Sequence, residues 1–559
     1  MTTRRHFALP RSTVRRTALI AAIASLAVVG STTPGFSVSQ EGNLTPFAKI
    51  ACKAPHEILL RTWRGLRLDR SGDIQIISQQ PSFVTGGLTH ATPWAYTQDV
   101  PIFYYGAPWV KDGVYKQPVT SADIAPTEAQ FLNFNDFHAP DGKPMTEALL
   151  PASQRQTPPK LFVQLVWDSG GMDVLNHWKN EWPYLKSLMP HGAWFTNATV
   201  GSSPSNTPTI HATIGTGAYP AHHGMNDEYI RIANEIQKPN ANGPAFLLDP
   251  TFADIYDRDM GNKPIVGGVA TLSAHLSFLS HGSMWGGGDR DIAVTREAGH
   301  APTAGAESNL WNLTPAMAPF YRMPSYVNSV GNLQKDVDQI DQSDGKIDQA
   351  WMGTPMDQLN GGFDTPARTP YQTDLIKAII QREGFGQDNI PDFLAINYKA
   401  IDTIGHLFSL DSPEMKQALS VQDQNLKVLV DFLNHQVGKN QWMMVLTADH
   451  GTQRDPHVTG AYLPGVDEIT AALNAKFGSP GKPVVQELRP TEVWLNHDVL
   501  AQNHYTVADV ATYMDQMTES DVPAPSTTIQ PGNENDPAFL AVFPSAVMSQ
   551  LPCLPEARA

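Results

Sequence analysis

Cysteine is almost absent: the 559 residues contain two, Cys52 and Cys553, near the two ends. That excludes a disulfide-framework fold and any cluster of thiolate metal ligands. The two can staple the ends in an oxidising compartment, or stay as buried thiols. Basic residues are also scarce, 39 Lys and Arg against 55 Asp and Glu, for a net charge of −16. So acidic a chain is unsuited to coating nucleic acid, which needs basic patches. No stretch beyond Val29 is apolar enough to cross a bilayer, so no transmembrane anchor is expected in the mature protein.

Acidic residues are missing from the first forty positions, which carry Arg4, Arg5, Arg11, Arg15 and Arg16 ahead of the twelve-residue, mostly apolar run Ala18–Val29. A basic stretch followed by a short apolar one is an export signal, taken here as residues 1–35. Without its five arginines the net charge becomes −16 − 5 = −21. Thr3-Arg-Arg-His-Phe7 resembles a twin-arginine signal, while Arg15-Arg16 lies nearer the apolar run, so the export route stays open. The mature chain is expected to be secreted, periplasmic or wall-associated.

What remains can bury a large core in one or two domains. Glu57–Thr62 reads as a short strand, Ile74–Ile77 as a second and Val100–Tyr105 as a third, with a short helix opening near Val119–Thr127. Residues 150–159, rich in Pro, Gln and Ser, form a linker. Leu161–Trp167 is an apolar strand delivering Asp168 at its end. In Ser202–Gly224, Asn206 or Thr207 suits a helix N-cap and Pro208 the first turn, which places Thr207 where free N–H groups favour an alkoxide or phosphate oxygen. Residues 226–372 are dense in Gly, Pro, Asn and Asp, with one buried-looking strand at Pro264–Val269, and read as a cap or insertion over the site.

The strand Phe393–Tyr398 leads into Asp402-Thr-Ile-Gly-His406, whose glycine lets the backbone bend between carboxylate and imidazole. Ser412 starts a helix with the apolar face Met415, Leu419, Leu426, Leu429 and Leu433. Met443–Thr447 ends in Asp449-His450-Gly451. A helix near Glu468–Phe477, a strand near Thr491–Asn496, a helix at Tyr505–Met517 and a C-terminal tail at 518–559, polar and Pro-rich from Thr518 to Asp536, complete the chain. Strands alternating with helices predict an α/β fold with a mostly parallel central sheet, and Asp168, Asp402 and Asp449 all fall at carboxyl ends of strands, where such sheets bind ligands. Oxygen and nitrogen donors without thiolates suit zinc in an open, catalytic site.

Asp168, the segment Thr207 through Gly224, Asp402-x-x-Gly-His406 and Asp449-His450-Gly451 together resemble the alkaline phosphatase superfamily, most closely its nucleotide pyrophosphatase/phosphodiesterase branch. Thr209 and Ile210 stand where Pro and Asn are usual. The resemblance implies a three-layer α/β sandwich with a loop-rich cap insertion. The branch needs one more histidine far downstream, and His457, His497 and His504 lack its context. Arg70-Ser-Gly-Asp73 and Gly87-Leu-Thr-His90 resemble that segment moved to the front. The chain therefore reads as circularly permuted: residues 50–149 are the displaced C-terminal part, 150–159 the joint, and 160–225 with 373–517 the catalytic core.

By this resemblance two divalent metal ions, zinc by preference, are held by His90, Asp402 and His406 and by Asp168, Asp449, His450 and the Thr207 oxygen. Thr207 is the nucleophile, forming a phospho-threonine that water later releases. Asn226 is the residue binding a phosphate oxygen. The substrate is a small phosphate ester. Threonine-using monoesterases of the superfamily carry a Lys-x-Arg pair that Thr271–His281 does not offer, which favours a diester or pyrophosphate over a phosphomonoester. Trp285, Trp311, Tyr321 and Tyr326 offer stacking for a base, or plain packing. A sulfatase lacks its Cys-x-Pro-x-Arg context here, and a non-catalytic metal-binding envelope protein would not need the full ligand set. Oligomeric state is not legible.

Overall fold

The computed structural model describes residues 41–558 apart from 86, 152, 156, 240–245, 276–287, 297–309, 523 and 525–531. The export signal at 1–35 and Trp285 lie outside the described residues. Among the described residues, no helix is long and apolar enough to cross a membrane.

Nine strands form the central sheet, in the order Tyr321–Arg322, Asp291–Val294, Val266–Val269, Asp392–Tyr398, Leu161–Trp167, Trp442–Thr447, Ile102–Tyr105, Gly192–Phe195, Gly113–Tyr115. Every pairing is parallel except the two made by Ile102–Tyr105, which runs against both of its neighbours. The sheet is mixed α/β and mostly parallel, as expected. Residues 226–372, read as a cap, also supply its three edge strands at 266–269, 291–294 and 321–322.

Alternation along the central strands sorts their side chains onto two faces. Leu161, Val163, Leu165 and Trp167 join Leu394, Ile396, Met444 and Leu446 in a core that the helices Arg368–Glu383 and Pro413–Leu433 cover. Phe162 and Val166 join Tyr104, Phe393, Met443 and Val445 on the opposite face, with side chains from the helices Ile124–Phe131, Thr207–Thr216 and Phe252–Asp259. Gln164, the one polar residue of its strand, points to this second face and donates to Glu128 Oε1 at 2.9 Å. Burial raises that carboxyl to about 8, the hydrogen bond from Gln164 opposing the shift.

A second, antiparallel sheet of four strands, Val485–Leu488, Glu492–Leu495, Ile74–Ile77 and Ala541–Pro544, interleaves both ends of the chain over its own core. A Cys52–Cys553 disulfide closes that core.

One local expectation is corrected, and one left open is resolved. Glu57–Thr62 is not a strand but the middle of a helix, His56–Gly65, that follows Pro55 and buries Ile58, Leu59 and Thr62 at helical spacing. Trp311 and Tyr321 are buried packing residues rather than a stacking platform, Trp311 lying against Tyr371 at 5.9 Å between ring centroids. The Tyr326 hydroxyl donates to Glu383 at 2.7 Å.

Candidate active site

Three adjacent parallel strands, Asp392–Tyr398, Leu161–Trp167 and Trp442–Thr447, end side by side. Their following residues therefore meet at one sheet edge: Lys399 and Asp402 from the first, Asp168 and Ser169 from the second, Asp449 and His450 from the third. The reversed strand Ile102–Tyr105 brings its start, Ile102, opposite Thr447. A residue preceding that strand thus reaches the same edge as residues following the others, and His90 does so.

His90, Asp402 and His406 form one group of donors, and Asp168, Asp449 and His450 another, each with ligand atoms within 4.8 Å of one another. In the first group, Nε2 of His90 and of His406 lie 3.4 and 3.5 Å from Asp402 Oδ1. Asp402 and His406 stand one turn apart on the helix Ala400–Phe408, so the backbone does not bend between them as expected. Gly405 serves packing instead: a Cβ there would come 2.9 Å from Thr452 Cγ2.

The histidines share one orientation. Nδ1 of His90 donates to the Ser205 carbonyl at 2.8 Å, Nδ1 of His406 to Leu88 at 2.6 Å, and Nδ1 of His450 to Gly451 at 3.0 Å. Each ring thereby turns Nε2 into the site, the arrangement of metal-ligating imidazoles. Nε2 of His450 and Oδ2 of Asp449 lie 3.1 Å apart and fully buried, and neither makes a hydrogen bond of good geometry. Structural polar groups are rarely left so, whereas ligand atoms are. The donor set therefore fits two divalent cations.

Electrostatics agree. Burial, with the neighbouring His450, pushes His90 well below the usual imidazole range. Burial also works against charge on His450, but Asp449, Asp168 and Asp402 outweigh it and lift that ring to about 9. Burial alone would raise Asp168 and Asp402; the Lys399 ammonium does most to hold both below the ordinary carboxylate range.

Thr207 is the first residue of the helix Thr207–Thr216, with Asn206 as N-cap and Pro208 in the first turn. Its Oγ1 lies 3.2 Å from Lys399 Nζ, and the same ammonium reaches Asp168 of one donor group and Asp402 of the other. His211, one turn on, donates from Nδ1 to the Thr207 carbonyl at 2.7 Å and accepts from Asn397 Nδ2 at 2.9 Å. Burial lowers its pKa to about 4, consistent with this neutral tautomer. Asn397 also donates to Asp168 Oδ2 at 3.0 Å, and His275 Nε2 lies 2.9 Å from the same oxygen.

The structure thus gathers His90, Asp168, Thr207, Asp402, His406, Asp449 and His450. It does not bring Asn226 into their hydrogen bonds: the Asn226 amide donates to the carbonyls of Gly65 and Pro220, at 2.6 and 3.4 Å. Sequence reasoning missed Lys399, Ser169, His211, His275 and Asn397. Lys399 carried one signal, a lone cation between an apolar strand and the Asp402 motif.

A family model described as type I phosphodiesterase / nucleotide pyrophosphatase matches residues 162–539. A protein from Myroides odoratus named calcium-transporting ATPase is 23% identical over 416 residues, 63% of this chain and 72% of that protein. Alkaline phosphatase PafA of Elizabethkingia meningoseptica is 23% identical over 406 residues, 65% of this chain and 73% of that protein. The solved structure of wild-type PafA gives a TM-score of 0.47 at 18% identity, covering 65% of this chain and 77% of that one.

Proposed function

The chain belongs to the type I phosphodiesterase / nucleotide pyrophosphatase family, phosphoric ester hydrolases of the alkaline phosphatase superfamily, and on that premise we propose that it is an exported enzyme acting through a phospho-threonine at Thr207, with diesters preferred. The observation that carries this reading is the contact of Thr207 Oγ1 with the Lys399 ammonium, which itself links a carboxylate of each donor group. His90, Asp402 and His406 would hold one divalent cation, and Asp168, Asp449 and His450 the other. When bound, these ions, zinc by donor type, supply Lewis acidity and lower the pKa of a hydroxyl.

The chain's own groups do the rest. The helix N-terminus presents Thr207 with free N–H groups facing an incoming anion. The Thr207 hydroxyl gives its proton to solvent, Oγ bonds to phosphorus, and the ester oxygen leaves with the P–O electron pair. Water then adds to phosphorus, the Oγ–P bond breaks, and Oγ regains a proton. His211 and Asn397 fix the nucleophile's backbone and the Asp168 carboxylate through both steps.

The relatives named alkaline phosphatase favour a second reading, a phosphomonoesterase. We also read the chain as circularly permuted. Support comes from His90 reaching the site ahead of the one reversed strand and from the disulfide joining the two ends.

The test compares hydrolysis of bis-p-nitrophenyl phosphate, p-nitrophenyl phosphate and p-nitrophenyl sulfate, with and without added zinc. The diester is expected to react fastest, the sulfate not at all, and Thr207→Ala to abolish turnover. A monoester preference above about tenfold in kcat/KM selects the phosphomonoesterase. A fully active Thr207→Ala protein removes the nucleophile.

A further inference from the structure

Lys399 is placed as few lysines are. It is 9% exposed, in the turn between the strand Asp392–Tyr398 and the helix Ala400–Phe408. Its ammonium has three N–H groups and three oxygens around it: Asp402 Oδ2 at 2.7 Å, Asp168 Oδ1 at 3.0 Å and Thr207 Oγ1 at 3.2 Å. Its carbonyl accepts from the Thr403 hydroxyl at 3.1 Å, which pins the turn. One carboxylate comes from each donor group, so the ammonium bridges them.

A purely structural lysine would need only the two carboxylates. Burying an ammonium is costly unless it is paired, and Asp168 and Asp402 pair it. The contact with Thr207 is additional, and it is the one that touches a reacting atom. A fixed cation there acts where negative charge develops, in surroundings that exclude most water and so strengthen its effect. A lysine suits this because its three donors rotate freely about a compact point charge.

We propose that Lys399 is a catalytic residue, whose ammonium stabilises negative charge on Thr207 Oγ and on a non-bridging oxygen of the phosphoryl group transferred to it. This rests on the reading of Thr207 as nucleophile. Lys399 stays protonated throughout; the bonds made and broken remain those at phosphorus. The substrate class that this cation recognises is an anionic phosphoryl group, whatever the leaving alcohol.

The test uses the metal-loaded protein with Lys399→Met, Lys399→Arg and Thr207→Ala, reading metal content, kcat and calorimetric affinity for inorganic phosphate. In Lys399→Met, metal content should stay at the wild-type level while kcat falls about 10²–10³-fold, the loss seen on removing one oxyanion donor. Phosphate affinity should fall at least about tenfold, and Lys399→Arg should recover at least about tenfold of the lost kcat. A fully loaded Lys399→Met protein within about threefold of wild-type kcat overturns the proposal. So does a loss that tracks metal content and is restored by excess zinc. Thr207→Ala separates the two readings: if it keeps full turnover the nucleophile assignment fails, while weakened phosphate binding in Lys399→Met still reports on the lysine.

Discussion

His90 and His450 lie stacked, their ring centroids 3.5 Å apart and their planes 11° from parallel. One ring precedes the reversed strand and the other follows the strand paired with it, so the stack joins the two donor groups across the sheet edge. His90→Ala should remove about one of two bound ions and lower kcat/KM by more than about 100-fold, since even outer partners of a metal site are worth 10–100-fold. His457→Ala, an exposed position, should change neither. Metal analysis after dialysis decides, and the opposite pattern reassigns the ligand.

Ser169 stands between the groups in another way. Its Oγ lies 3.1 Å from Asp402 Oδ1 and 3.1 Å from His450 Nδ1, and its backbone N–H donates to Asp449 Oδ1 at 3.1 Å. Its φ of 60° is in the left-handed region. Ser169→Gly keeps that backbone and loses only the hydroxyl, so it should leave thermal stability nearly unchanged while weakening metal affinity about 10–100-fold. Ser169→Val forces a β-branched side chain into the same conformation and should cost about 1–2 kcal/mol in chemical denaturation.

Much of this arrangement was legible in sequence. Leu161–Trp167, Phe393–Tyr398 and Met443–Thr447 are apolar runs closed by an acid or a metal motif, and apolar content alone marks buried parallel strands. The hidden parts depend on contacts distant in sequence. Nothing local to His275 announces a bond to Asp168, and nothing local to Lys399 announces Thr207. The helix His56–Gly65 was lost because Ile58 and Leu59 form an apolar run too short to distinguish a period of two from 3.6. The reversal of Ile102–Tyr105 left no local trace either, because direction is set by its neighbours in the sheet.

Glu128 predicts a pH dependence far from the metals. Burial lifts its pKa to about 8 from an ordinary value of 4.5, so the stability of its protonated state is fully present below 4.5 and is lost as pH rises through 8. Glu128→Gln keeps the acceptor for Gln164 and cannot ionise. It should match wild type near pH 4.5 and be more stable at pH 8.5, by about 5 kcal/mol in urea melts. Equal stabilities at both pH values would show that the carboxyl does not titrate in this range.

The Cys52–Cys553 disulfide closes a span of 501 residues, beside the smaller sheet rather than at the sheet edge that bears the site. Replacing both cysteines by serine should lower stability by about 2–5 kcal/mol, chiefly by freeing the unfolded chain. Metal content and kcat at 25 °C should not change. A parallel loss of metal would mean that the smaller sheet props the site.

Removing the ions tests the balance of charge at the sheet edge. Asp168, Asp402 and Asp449 are buried together, and without cations their mutual repulsion is opposed by Lys399, paired with two of them at 3.0 and 2.7 Å. Wild-type protein stripped by chelator should therefore stay folded, with a lower Tm. Stripped Lys399→Met leaves those carboxylates uncompensated and should lose about a further 3–5 kcal/mol, the usual cost of breaking a buried ion pair from one side. With metal restored, the gap between the two proteins should narrow to within about 1 kcal/mol, because bound cations then neutralise the same oxygens. Thermal scans of the four samples settle it: a gap that persists undiminished in the loaded proteins would assign Lys399 a packing role independent of the ions.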